Sequence, residues 1–106
     1  MKKAKLSNMK GGWFIGNFSP SVFETNVCEV AVKSYKMGEK ERKHFHKIAT
    51  EYTVIVQGKV RMFDTVFEKG DIIIVEPGEA TDFEALEDSV NVVVKIPGVN
   101  NDKYTL

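Results

Sequence analysis

The chain contains two histidines, and they stand two residues apart in His44-Phe45-His46. In a strand this spacing puts both imidazoles on one face, about 7 Å apart along the backbone. Two neutral imidazoles that converge on a point are a metal-ligand pair first. Five positions on, Glu51 opens the run Tyr52-Thr53-Val54-Ile55-Val56-Gln57. If Lys47 to Thr50 form the turn between two paired strands, the Glu51 carboxylate returns to the face of the histidines. Two His and one carboxylate on one face form a facial triad, with up to three positions left for substrate or dioxygen. The competing reading is a pair of histidines satisfied by hydrogen bonds in a polar interior. The alternation that turns Glu51 inward also turns Thr53, Ile55 and Gln57 inward, and Thr81 and Phe83 on another strand. Tyr35, Arg61 and Trp13 are candidates for the rim or wall. A lining this mixed suits a small polar ligand, with ordinary packing as the alternative for each residue.

The elements that must position these side chains read as strands. Apolar residues fall in short runs rich in Val, Ile, Phe and Tyr, bounded by Gly, Pro, Asn and Asp, and helical periodicity is nearly absent. The runs are 13–18, 27–35, 45–48, 52–57, 59–63, 66–68, 71–76, 82–86 and 90–96. Pro20, Pro77 and Pro97 all fall between them. Many short strands at this spacing predict an all-β sandwich or small antiparallel barrel. Ser21 and Glu24 fit a capping box, so Pro20-Ser21-Val22-Phe23-Glu24 is expected to start one helical turn. Residues 1–12 read as an N-terminal arm. Residues 97–106 read as an extended tail that packs on a neighbour.

From Gly38 to Gly58 the order is Gly, five residues, His-x-His, four residues, Glu, six residues, Gly. This resembles the first signature motif of the cupins at every fixed position. The segment Gly70-Asp71-Ile72-Ile73-Ile74-Val75-Glu76-Pro77-Gly78 resembles the start of the second. The resemblance implies a single cupin-type antiparallel β-barrel, jelly-roll-like, over residues 1–106. It also implies one divalent transition metal ion (Fe, Mn, Ni, Co, Cu or Zn) held by His44, His46 and Glu51. The second motif departs from the pattern, because Thr81 stands where cupins usually place a third histidine and Ala85 where they place Asn. Alternation points Asp82 outward, and only a bulge after Gly78 would turn it to the metal. The cupin resemblance implies a metal acting as Lewis acid on a small polar substrate. Sugar or sugar-phosphate isomerisation, epimerisation or lysis is favoured over dioxygen chemistry, with Glu51 as ligand or general base. A cupin that only binds a saccharide or nucleotide-sugar is the alternative. Small cupins are habitual homodimers, and on that resemblance the strands of one subunit are expected to extend the sheet of the other.

Composition bounds the rest. A chain of 106 residues, 42% hydrophobic, is one domain with a real core. Fifteen basic residues balance fifteen acidic ones, which gives no reason to expect nucleic acid or an anionic membrane as partner. The basic cluster Lys33, Lys36, Lys40, Arg42 and Lys43 and the acidic cluster Glu76, Glu79, Asp82, Glu84, Glu87 and Asp88 are either solvated faces or partners across a subunit contact or pocket mouth. One cysteine, Cys28, and a basic start without an apolar segment predict a cytoplasmic protein. No Gly-rich phosphate loop with Lys-Ser/Thr, Gly-x-Ser-x-Gly or Cys-x-x-Cys occurs. The glycine-rich Gly11-Gly12-Trp13-Phe14-Ile15-Gly16 lacks the helix that a dinucleotide site requires.

Overall fold

The computed structural model describes residues 1–106. The strands are β1 (Trp13–Ile15), β2 (Glu29–Tyr35), β3 (Lys40–His46), β4 (Thr50–Gln57), β5 (Lys59–Met62), β6 (Thr65–Glu68), β7 (Ile72–Val75), β8 (Thr81–Ala85), β9 (Ser89–Ile96) and β10 (Lys103–Thr105). They form two five-stranded antiparallel sheets, β1-β2-β9-β4-β7 and β10-β3-β8-β5-β6. From β2 to β10 the chain changes sheet at every connection except the β5–β6 hairpin. Each strand therefore lends one face to a shared interior, and the all-β, jelly-roll-like architecture follows. No helix is long and apolar enough to cross a membrane.

At one end the interior is closed by Ile55, Val60, Met62, Ile73, Val75, Phe83 and Ala85. Ile55 and Val60 are fully buried, each contributing roughly 1.5–3 kcal/mol of hydrophobic stabilisation. At the other end the inward positions are polar, and a cavity opens there. Met62, Val75 and Phe83 belong to both regions, so the apolar cluster forms the cavity floor.

Four expectations change. β3 begins at Lys40, not Phe45, because its charged start carries no apolar alternation. β3 and β4 lie in different sheets, so Lys47 to Ala49 form a crossover between walls instead of a hairpin turn. The segment 20–24 is not helical. Ser21 Oγ accepts from the Phe23 amide at 3.1 Å and donates to the Phe23 carbonyl at 2.8 Å, and Phe23 bridges to Ile15 in extended pairing. A 3-10 turn lies instead at Leu6–Asn8. The C-terminal tail packs on its own chain as β10, with Phe45 and Tyr104 rings stacked 5.4 Å apart.

The two charged clusters come beside one another where β3 pairs with β8, which sets Lys40 opposite Glu84. No ion pair joins them, and Glu84 instead takes Arg61 of β5, a member of neither cluster, at 3.3 Å. With both Arg61 and Glu84 partly solvated, Arg61→Ala is expected to change stability by less than about 0.5 kcal/mol in urea unfolding.

Candidate functional site

The cavity between the sheets has a volume of about 320 Å³, the size of a small-metabolite site. Its β3 wall depends on a bulge. Glu41 lies opposite Phe83 and His44 opposite Thr81, so three steps on β3 match two on β8. The extra residue exchanges faces, and Glu41 joins His44 and His46 on the cavity side.

His44 Nδ1 lies 2.9 Å from the Arg42 carbonyl. A carbonyl only accepts, so Nδ1 carries the proton and Nε2 remains an open acceptor. The His46 ring sits 5.5 Å from that of His44, at 77°. Burial, reinforced by the Lys95 and His44 charges, pushes His46 down to about 4, so the imidazole is neutral at pH 7. Its Nε2 is buried without a partner, as is Asn91 Oδ1 on β9. His46 and Asn91 are only 4% and 2% exposed, and both line the cavity.

A second cluster occupies β2 and β3. Tyr35 Oη donates to Glu41 Oε2 at 2.5 Å, and Lys33 Nζ lies 3.5 Å from the same oxygen. Burial, then the bond to Glu41, raise the Tyr35 hydroxyl far above its ordinary range, so it stays protonated. Burial alone would raise Glu41. The Tyr35 hydrogen bond and the Lys33 charge outweigh it and hold the carboxyl below its usual range. The Tyr35 ring packs on Phe83 with centroids 4.4 Å apart. On the same sheet as Lys33 and Tyr35, Lys95 Nζ lies 3.5 Å from Glu29 Oε1 and 4.9 Å from the Trp13 ring centroid. Glu51 accepts from Thr53 Oγ1 at 3.1 Å and, alone among the cavity glutamates, has no cation within ion-pair distance.

His44, His46, Glu51, Thr53, Thr81 and Phe83 therefore share one cavity. Gln57 and Arg61 do not. A register shift between Ile55 and Gln57 breaks the alternation and leaves Gln57 exposed. On β5, Val60 and Met62 face inward, so Arg61 points out to Glu84. Thr81 accepts from the Phe63 amide at 2.8 Å and donates to the Asp82 carbonyl at 2.8 Å, so its hydroxyl is committed to backbone. Asp82 is exposed, and it also borders the cavity.

The residues do not assemble the expected three-ligand metal site. No three His, Cys, Asp or Glu side chains converge closely enough to hold one ion. Glu51 enters from β4 in the other sheet, where Thr53 donates to one carboxylate oxygen, and the two imidazole rings lie 5.5 Å apart.

Glu29, Asn91 and Lys95, not singled out from the sequence, complete the site with Lys33 of the basic cluster. All four sit on the alternate positions of β2 and β9 that also carry Ala31 and Val93. That shared parity was the available signal. Asp102 accepts from the amides of Lys47, Ile48 and Ala49, and so fixes the crossover between His46 and Glu51.

No protein-family model matches the sequence, and no curated protein matches it. Solved structures do. A protein with a double-stranded β-helix domain from Klebsiella pneumoniae is 25% identical, with a TM-score of 0.72 over 79% of this chain and 74% of that one. An RmlC-like cupin protein from Desulfovibrio desulfuricans is 19% identical, with a TM-score of 0.63 over 74% and 79%. The fold is that of the cupins. A further match is Pac13, a nucleoside dehydratase, at 16% identity and a TM-score of 0.65 over 77% and 70%; a Pac13 structure from Streptomyces also matches. This chain keeps the fold of these proteins, with Thr81 and Ala85 in the segment that resembles the second motif.

Proposed function

We propose that this cupin binds a small polyhydroxylated metabolite, a saccharide or sugar acid, in the cavity and acts on it by proton transfer as a lyase or isomerase. The observation that carries the reading is a pair of residues lining the same cavity, His46 and Asn91, whose buried atoms Nε2 and Oδ1 have no hydrogen-bond partner. Each costs about 1–3 kcal/mol if left unsatisfied, and ligand hydroxyls remove that cost. Glu29 and Glu51 add acceptors for hydroxyl donors. The Trp13, Tyr35 and Phe83 rings supply flat apolar surface for the C–H face of a sugar. Similarity to a nucleoside dehydratase supports an elimination.

In this reading Glu51 is the general base, because it is the cavity glutamate that no cation holds, and it takes a C–H proton next to a carbonyl or carboxylate. Tyr35, kept protonated, donates its one O–H to Glu41 in the resting site, and it reaches the oxygen on which charge develops by exchanging that bond for one to substrate. Neutral His46 orients a substrate hydroxyl. The second reading, a binding module without turnover, is favoured by the Thr53–Glu51, Tyr35–Glu41 and Lys95–Glu29 contacts, which already occupy these groups.

The test is a melting-temperature screen against sugars, uronic acids and sugar phosphates, followed by proton NMR in D2O on every ligand that stabilises the protein. The expected result is at least one stabilising polyol that exchanges or loses a C–H proton. Glu51→Gln should retain the melting shift and lose turnover by about 10²–10⁴-fold. Retained binding with no exchange in wild type selects the binding module, and no stabilising compound overturns both readings. Elemental analysis of untagged protein beside the His44→Ala/His46→Ala variant tests whether the imidazole pair retains an ion.

A further inference from the structure

Of the four lysines that line the cavity, Lys33 and Lys95 are paired with Glu41 and Glu29, while Lys10 and Lys103 have no acid within ion-pair distance. Lys103 is placed by β10. Tyr104 turns outward to stack on Phe45, so alternation turns Lys103 inward, opposite His46 on β3. It also lines a second hollow. An open recess of about 410 Å³ lies beside the cavity and shares Glu29, Lys95 and Lys103 with it. The rest of its lining is Asn17, Asp102 and residues 99–101, of which Val99 is the one apolar residue. Both acids of the recess are already engaged, Glu29 by Lys95 at 3.5 Å and Asp102 by the Lys47, Ile48 and Ala49 amides. Lys103 is the charge left over. Beside it stand the side-chain amides of Asn17, Asn100 and Asn101, of which Asn100 spends one hydrogen on the Asn17 carbonyl at 3.1 Å.

Resting on the polyol reading above, we propose that this recess is an anion subsite, in which Lys103 holds a phosphate or carboxylate group of a ligand whose hydroxylated part occupies the cavity. An unpaired ammonium beside neutral N–H donors is a donor set for anionic oxygen, which brings the missing counter-charge along with its hydrogen bonds. A neutral hydroxyl accepts from the ammonium but leaves the charge unanswered. Because Lys103 belongs to both hollows, one ligand can meet it while its acidic group stays outside the cavity. That placement keeps the anion from Glu51, the cavity glutamate with no cation within ion-pair distance. The other acid at the rim, Asp82, stands on β8, two strands from β10 and so about 10 Å away. Lys10 also lines the cavity but does not reach the recess. The ligand is therefore an acid, and Lys103 is the residue that selects it over its neutral parent.

The test is calorimetric titration of the full chain with matched series: glucose, glucuronate and glucose 6-phosphate, and the galactose and mannose counterparts. In at least one series an acid should bind at least about fivefold tighter than its neutral parent, the scale of one exposed ion pair. Raising the salt from about 20 mM to about 500 mM should remove most of that advantage. The carboxylate and phosphate arms decide which group the subsite takes. Lys103→Gln should bring acid and parent to within about twofold of one another, the ammonium contribution being lost, whereas Lys10→Gln should not. In wild type the backbone amide NMR signals of Asn100, Asn101 and Lys103 should move with the acid and not with its parent, a readout that stands even if Lys103→Gln does not fold. Equal affinity for acid and parent, an advantage that survives Lys103→Gln, or acid-specific shifts confined to other segments each overturn the subsite and leave the polyol reading intact. No binding by any member of the three series overturns both.

Discussion

Asp102→Ala should destabilise the protein by about 4 kcal/mol, because it strands three amides at once, each at about 1–3 kcal/mol before relaxation and water recover part of it. The carboxylate is 5% exposed and accepts from Lys47, Ile48 and Ala49 at 3.1, 3.2 and 3.0 Å. A domain of this size has roughly 5–15 kcal/mol to lose, so the melting temperature should fall by roughly 20 °C. The sign of the pH dependence follows from the same bonds. Desolvation raises the carboxyl, but the Ala49, Ile48 and Lys47 amides outweigh it and hold it below the ordinary range. Its stabilisation is therefore complete above the unfolded-state pKa of about 3.9 and is lost as pH falls through the lower folded value. Urea unfolding at pH 7 and at pH 3 measures both effects. A loss below about 1 kcal/mol at pH 7 would show that the crossover does not hang on this side chain.

Gly58→Ala should cost on the order of 4 kcal/mol or prevent folding, although it adds a single methyl group. Gly58 links β4 to β5 at φ +88°, a conformation that L residues rarely adopt. A Cβ there would stand 2.3 Å from Ser89 Oγ, 2.4 Å from the Asp88 carbonyl oxygen and 2.9 Å from Ser89 Cα. Two of these atoms are backbone and cannot rotate away. Ser89→Ala in the same chain should therefore rescue little of the loss. The other motif glycine, Gly38, has φ +92° but open space around its missing Cβ, so Gly38→Ala should be milder. Thermal melts of the three variants rank them. A Gly58→Ala protein within 1 kcal/mol of wild type would contradict the packing of this turn on β8–β9.

The strands were legible because runs such as Ile72-Ile73-Ile74-Val75 and Val90 to Ile96 are β-branched and bounded by turn residues. The site was legible where alternation is unbroken, as for His44 and His46 or Glu51 and Thr53. It failed at irregularities of register. The β3 bulge delivers Glu41, and the shift before Gln57 removes that residue, and neither leaves a mark in the sequence. The sheet containing Glu29 and Lys95 also reverses the usual assignment of polar residues to solvent and apolar ones to the core, which hid half the lining. Asp102 was hidden for a further reason, since its three partners lie 53 to 55 residues away and the pairing exists only once β10 has docked.

Trp13 is the only tryptophan in the chain, and its ring lies at the cavity wall with the Lys95 and Lys33 ammonium groups 4.9 and 5.9 Å from its centroid. Indole emission responds to nearby charge and to water. The protein thus carries a built-in optical probe at its own binding site: a ligand that draws Lys95 away from the ring or excludes solvent from it changes the fluorescence. Occupancy can be titrated on the unmodified chain, with no dye attached and whether or not the bound compound is turned over.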